Sequence, residues 1–226
     1  MLEPVDQVAA ELRAAGTPER AEGSKAYLHS ELEFFGATVA AVRAAARRAR
    51  REATTRSEAL ALVEGLWARP VFELRLAAAL VLVDAVPQLE ARDLAVVEGL
   101  VRESHTWALV DVLAGDCAGP LVTRLEADGA DLTPVLDRWA VDEDFWVRRC
   151  ALLVHERALR AGAGDWARFT RYADAMLEER EFFIRKAIGW VLRSASKRRP
   201  DLVRAWVEPR LERMSGVTRR EAVKYL

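Results

Sequence analysis

An all-α solenoid is the fold class this sequence predicts, and three observations predict it. Ala, Leu, Arg and Glu are all abundant among the 226 residues, and all four are good helix formers, whereas runs of Ile, Thr, Tyr and Phe that would mark strands are scarce. One phrase recurs along the chain: an aromatic residue, a short gap, a basic residue, then an apolar helical run. The breaks between its copies are short and carry turn-type residues.

The phrase reads Phe72-Glu-Leu-Arg75, Trp146-Val-Arg-Arg149 and Phe183-Ile-Arg-Lys186, with a weaker copy in Val217-Thr-Arg-Arg220. Phe35-Gly-Ala-Thr38 and Trp107-Ala-Leu-Val110 fit the same phase. Taking the fourth residue as the marker gives positions 38, 75, 110, 149, 186 and 220, separated by 37, 35, 39, 37 and 34 residues. That period belongs to helical-hairpin repeats of the HEAT and armadillo kind.

The intervening segments complete the hairpins. Residues 57–67 read as a helix capped by Ser57, with Ala59, Leu60, Val63 and Leu66 on one face. Residues 132–139 open on Thr133-Pro134, a cap followed by a first-turn proline. Residues 165–177 put Phe169, Ala173, Met176 and Leu177 at helical spacing. Each marker phrase is then the second helix of a hairpin, and stacked second helices line one concave side. Ala85-Val86-Pro87, Gly115-Asp116, Ala161-Gly-Ala-Gly164 and Arg199-Pro200 read as breaks, none long enough to separate domains. The chain 1–226 is therefore expected to form a single domain of about six units, the first one irregular.

Composition narrows the function classes. With 51% hydrophobic and 31% charged residues the chain has the profile of a globular protein. Its start carries early acids and no apolar core of a leader, and no apolar run reaches the ~20 residues of a membrane span. A cytoplasmic monomer is the expectation. Cys117 and Cys150 form no metal or disulfide framework and read as small buried hydrophobes. His29, His105 and His155 share no ligand spacing, so no metal and no cofactor is expected. Gly23 and Gly36 follow no strand and make no phosphate-binding loop. The net charge of −1 counts mildly against nucleic acid, although a basic face can coexist with an acidic back. Arg47-Arg48-Ala-Arg50-Arg51 has the form of a basic patch, and a solvated helix face has the same form.

Five segments, in order, resemble the AlkD-like alkylpurine DNA glycosylases. Glu181-Phe-Phe-Ile-Arg-Lys-Ala-Ile-Gly-Trp190-Val-Leu-Arg193 is similar to the most recognisable stretch of that family. Ser215-Gly-Val-Thr-Arg-Arg-Glu-Ala-Val-Lys224 resembles its closing segment. Trp107-Ala-Leu-Val-Asp111 matches the tryptophan and aspartate of its active site, Phe145-Trp-Val-Arg-Arg149 the segment of its catalytic arginine, and Tyr27 with Phe34-Phe35-Gly36 its N-terminal segment. The resemblance implies a HEAT-like, monofunctional DNA glycosylase with a concave DNA-binding groove. Such an enzyme hydrolyses the N-glycosidic bond of cationic N3- or N7-alkylated purines in double-stranded DNA, leaving an abasic site for base excision repair without full base flipping. Trp107, Asp111, Arg149 and Trp190 would be its catalytic residues.

These residue types suit that chemistry. Alkylation makes the purine a good leaving group, so the difficulty moves to a sugar that becomes oxocarbenium-like. Trp107 and Asp111, at i and i+4, share a helix face. A carboxylate there stabilises the cation and orients or deprotonates water. Trp107 and Trp190 offer π faces to cationic groups, about 0.5–2 kcal/mol each. Arg149 is a fork suited to phosphate or to fixing Asp111. Arg148 competes for that role; Arg149 is preferred because it aligns with Arg75, Lys186 and Arg220. No lysine is an obvious Schiff-base nucleophile. Tyr27, Arg75, Arg148, Lys186, Arg193, Lys197, Arg219, Arg220 and Lys224 are the candidate DNA contacts.

Each residue also has a plainer role open to it. Tryptophans in helical repeats usually pack; Trp67, Trp139, Trp146, Trp166 and Trp206 are assigned to packing. Asp111, taken alone, is a salt-bridge partner for an arginine, and the marker cations can form ladders between repeats. The alternative function is accordingly a non-catalytic HEAT module that binds DNA structure or a protein.

Overall fold

The computed structural model describes residues 3–226, so the first two residues of the expected 1–226 domain, and of the start read as lacking a leader, lie outside the described residues. Among the described residues there are helices and no strands; one isolated parallel bridge joins Glu33 to Val71. The expected all-α class is observed. The helices fall into two compact units, one holding the residues up to Glu90 with Ser104–Leu113, the other Ala91–Glu103 with Ala114–Leu226.

The first unit contains α1 (Pro4–Ala15), α2 (Pro18–Leu28), α3 (Val39–Glu52), α4 (Arg56–Trp67), α5 (Phe72–Ala85) and the short α7 (Trp107–Asp111). α5 is its axis: Leu74, Leu76, Ala77, Ala78, Ala79 and Leu80 are all buried, and α3, α4 and α7 pack on it. α4 starts one turn's edge earlier than its sequence reading. Thr55, not Ser57, is the cap, because Thr55 and Glu58 satisfy each other's backbone N–H groups in a capping box.

The loop before α3 is held by Glu73. Its buried carboxylate accepts the N–H groups of Phe35 (3.0 Å), Gly36 (2.7 Å) and Ala37 (3.2 Å). Gly36 has φ +76°, and a Cβ there would sit 2.1 Å from the Thr17 carbonyl oxygen, so only glycine fits. Arg20 of α2 donates to the Gly36 carbonyl (2.7 Å), which ties α2 to the same loop.

The second unit contains α6 (Leu94–Ser104) up to Glu103, α8 (Gly119–Ala127), α9 (Thr133–Ala140), α10 (Phe145–Leu153), α11 (Glu156–Arg160), α12 (Trp166–Ala175), α13 (Phe182–Ser196), α14 (Pro200–Val207) and α15 (Gly216–Ala222). Here the repeat period reappears as polar rungs. Glu98 takes both arms of Arg138, 40 residues on, at 2.8 and 2.6 Å. Asp137 accepts from Arg171, 34 residues on, and Asp174 from Arg210, 36 residues on. The Arg138 fork, helped by Arg102 and the Trp139 indole N–H, outweighs the burial that opposes it and holds the Glu98 carboxyl down at about 2. The rungs flank a core in which Trp139 and Phe169 are fully buried, about 2–3 kcal/mol for each ring.

Two further sequence expectations fail locally. Thr133 is the first residue of α9 rather than its cap; the Asp131 carboxylate accepts from its N–H instead (3.0 Å). Gly115-Asp116 is no break, because it lies inside a π-helical stretch, Val112–Ala118, joining α7 to α8. Buried residues here come in pairs four apart: Leu109 and Val110, Leu113 and Ala114, Cys117 and Ala118, Leu121 and Val122. An α-helix would rotate such a stripe off the core by about 40° every four residues. The wider π turn between two α segments rotates it back the other way.

Candidate active site

The site residues named from the sequence divide between the units. Tyr27, Arg75, Trp107 and Asp111 belong to the first; Arg148, Arg149, Lys186, Trp190, Arg193, Lys197, Arg219, Arg220 and Lys224 belong to the second.

In the first unit α7 is placed by its entry. His105 takes a left-handed φ of +46°, and the Thr106 carbonyl then accepts from Leu109 and Val110. Leu109 and Val110 are buried, which turns Trp107 and Asp111 to the opposite, half-open side of the same short helix. Tyr27, at the end of α2 and 71% exposed, meets the Trp107 ring edge-on at 6.0 Å. The pair makes an aromatic wall one turn from a half-buried carboxylate. Arg75 sits half-buried on α5, its guanidinium 5.0 Å from the Trp67 ring.

In the second unit the two arginines of α10 are both engaged. Arg148 forks onto Glu179 (3.0 and 2.9 Å) and donates to the carbonyls of Asp142 and Glu143. Arg149 is only 2% exposed; it donates to the Phe183 carbonyl and lies 5.7 Å from the Phe183 ring. Trp146 is buried and packs on Phe145 and Phe183, at 4.5 and 4.8 Å. Arg149 thus ties α10 to the first turn of α13. The other tryptophans assigned to packing are buried too, except the half-buried Trp166.

Trp190 is half-buried on α13, on the face that also carries Lys186 and Arg193, four residues before and three after it. Both cations turn to one carboxylate, Glu221 of α15. Burial pushes the Glu221 carboxyl up, but Lys186, Arg193 and Lys224 outweigh it and hold it below the usual range. The approach of α15 depends on Gly189, where a Cβ would lie 2.6 Å from the Glu221 Cβ and 3.0 Å from the Thr218 carbonyl. Lys197 and Lys224 lie 5.2 and 5.9 Å from the Tyr225 ring, and Arg219 and Arg220 are exposed. Burial pushes the Cys117 thiol up, so it is no thiolate nucleophile.

Glu73, Glu179 and Glu221 were not singled out from the sequence. Two of them had a signal: Glu179 and Glu221 stand 31 and 35 residues from the cations they hold, near one repeat.

With this geometry in place, comparison with known proteins is informative. Residues 8–226 match the model of a family described as DNA alkylation repair enzyme. A solved protein from Enterococcus faecalis, described as a predicted DNA alkylation repair enzyme, shares the fold at a TM-score of 0.83 and 23% identity, covering 93% of this chain and 96% of its own. Comparison with curated proteins finds no match. Among the described residues no helix is long and apolar enough to cross a membrane.

Proposed function

The chain belongs to the DNA alkylation repair enzyme family, and we propose that it is a monofunctional glycosylase releasing cationic N3- or N7-alkylated purines from double-stranded DNA. The observation that carries this reading is the α7 pair, Trp107 and Asp111, on one half-open helix face with Tyr27 against the indole.

The chemistry follows from that pair. The electron pair of the glycosidic bond leaves with the alkylated base, which departs neutral, and the sugar becomes an oxocarbenium ion. Asp111 stabilises that cation, and water adds to the anomeric carbon and passes its proton to the carboxylate. The Trp107 ring in the first unit and the Trp190 ring in the second each offer a π face to a cationic group. Arg149 contributes through the backbone it fixes at the start of α13, and Arg148, its competitor for the phosphate role, is engaged by Glu179. The product is an abasic site with both strands intact and the base not fully flipped. Phosphate contacts fall to Tyr27 and Arg75 in the first unit and to Lys197, Arg219, Arg220 and Lys224 in the second, where Lys186 and Arg193 take part only as Glu221 releases them.

Incubation with methylated duplex DNA is expected to liberate 7-methylguanine or 3-methyladenine. A folded protein that releases neither would leave the non-catalytic binding module as the reading. Asp111→Asn is expected to keep duplex affinity and to slow excision by at least about tenfold. Equal rates would remove Asp111 from the mechanism.

A further inference from the structure

α3 carries five arginines and one glutamate in fourteen residues, Val39–Glu52, inside a unit with eleven Lys and Arg against fourteen Asp and Glu. Its buried stripe is Val42, Ala45, Ala46 and Ala49, packed against α1 and α5. The arginines point elsewhere and fall into two sets. Arg48 pairs with Glu11, and Arg50 donates to the Ala53 carbonyl and to Gln88, so these two are structural. Arg43, Arg47 and Arg51 are exposed, and among the described residues none has a hydrogen-bond or ion-pair partner.

These three stand at i, i+4 and i+8, about 6 Å apart along one edge of the helix. Like charges at that spacing repel, as much as opposite charges there attract. A solvated face normally mixes signs to gain the same amount. The helix dipole accounts for the last-turn Arg50 and Arg51 but not for Arg43 and Arg47. Arg47, Arg50 and Arg51 line one concavity with the Thr54 hydroxyl and a single acid, Asp84. Exposed Ala40 and Ala44 leave the face between the arginines flat.

We infer that this face of α3 is a phosphate-backbone contact for duplex DNA, formed by Arg43, Arg47 and Arg51 apart from the candidate active site. It rests on the reading of the protein as one that acts on duplex DNA. A regular row of unpaired guanidinium groups matches a polyanion of regular charge. A protein partner would call for a large apolar anchor, and α3 offers none beyond the exposed Val39 at its first turn.

The test is the triple variant Arg43→Gln, Arg47→Gln, Arg51→Gln, titrated against an unmodified duplex over a series of salt concentrations. Each lost phosphate contact should remove about 0.9 from the slope of log K against log salt, so the slope is expected to fall by about 2–3. Affinity at low salt is expected to drop at least tenfold or so. The melting temperature should stay level or rise, because repulsion is relieved and no partner is lost. An unchanged slope overturns the inference, as does a variant that keeps its duplex slope and loses binding to anionic phospholipid vesicles instead. Excision is read separately, as kcat and KM on methylated duplex, and the lost phosphate contacts are expected to raise KM. A wild type that binds duplex without excising would sink the glycosylase reading and leave this one standing.

Discussion

Two basic regions of the molecule look alike in sequence and differ in what their charges can do. α3 presents Arg43, Arg47 and Arg51 to solvent without partners among the described residues, whereas Lys186 and Arg193 of α13 are closed onto Glu221. In the second unit the acids stand about one repeat away from the cations they meet, so a repeat protein can turn a basic phrase into a rung between helices. α3 shows the same division within a single helix, since its Arg48 and Arg50 are bound and their neighbours are not. Basic residues therefore measure DNA-binding capacity only after the held ones are subtracted.

The largest expected effect lies with a held cation. Arg149→Ala removes the donor to the Phe183 carbonyl and opens a void beside the Phe145, Trp146 and Phe183 rings. A buried, bonded arginine lost in this way should cost about 3 kcal/mol, or roughly 6–12 °C in melting temperature. Arg43→Ala should shift it by less than about 2 °C. If Arg149→Ala melts like the wild type, the division between structural and available arginines fails at its clearest example.

A neutral group sharpens the same distinction. His155 is buried beside the Phe169 and Tyr172 rings, and burial, with the Arg168 charge, holds its pKa down at about 4. The unfolded chain would protonate this imidazole near 6.5 and so bind more protons between the two values. Stability should fall as pH drops from about 6.5 through 4. His155→Leu should flatten that limb, as followed by thermal melts across the range. Glu98, held at about 2 by the Arg138 fork, has the depressed carboxylate's behaviour: its contribution is present above about 4.5 and is lost below it. The acid limb should therefore show two windows, and only the upper one should respond at His155.

What was legible in the sequence was whatever repeats. The 34–39-residue phrase found the helices that carry the markers, and helical spacing put Trp107 and Asp111 on one face. Gly115-Asp116 has turn chemistry and forms no break, because it lies in a π-helical stretch whose buried residues recur every four positions. The cap of α4 lies two residues before the Ser57 that the pattern predicts, because the Glu58 side chain reaches back to Thr55. The cations were legible as charges and not as contacts. Whether Lys186 faces solvent or Glu221 depends on how near α15 comes to α13, which Gly189 decides through one missing Cβ.

The most discriminating variant is the mildest. Glu221→Gln keeps the side chain's shape, so Gly189 still accommodates α15, and it removes the charge that Lys186 and Arg193 share. A local excess of one positive charge around Trp190 becomes two. Duplex affinity at low salt should rise by about three- to tenfold, with a salt slope steeper by about 1. Folding stability should fall by only about 1 kcal/mol, since Lys186 is well exposed and its pair is screened. A fall in affinity instead would mean that Glu221 orients the two cations toward phosphate. Held and available charges would then be the same charges, and the contrast between α13 and α3 would disappear.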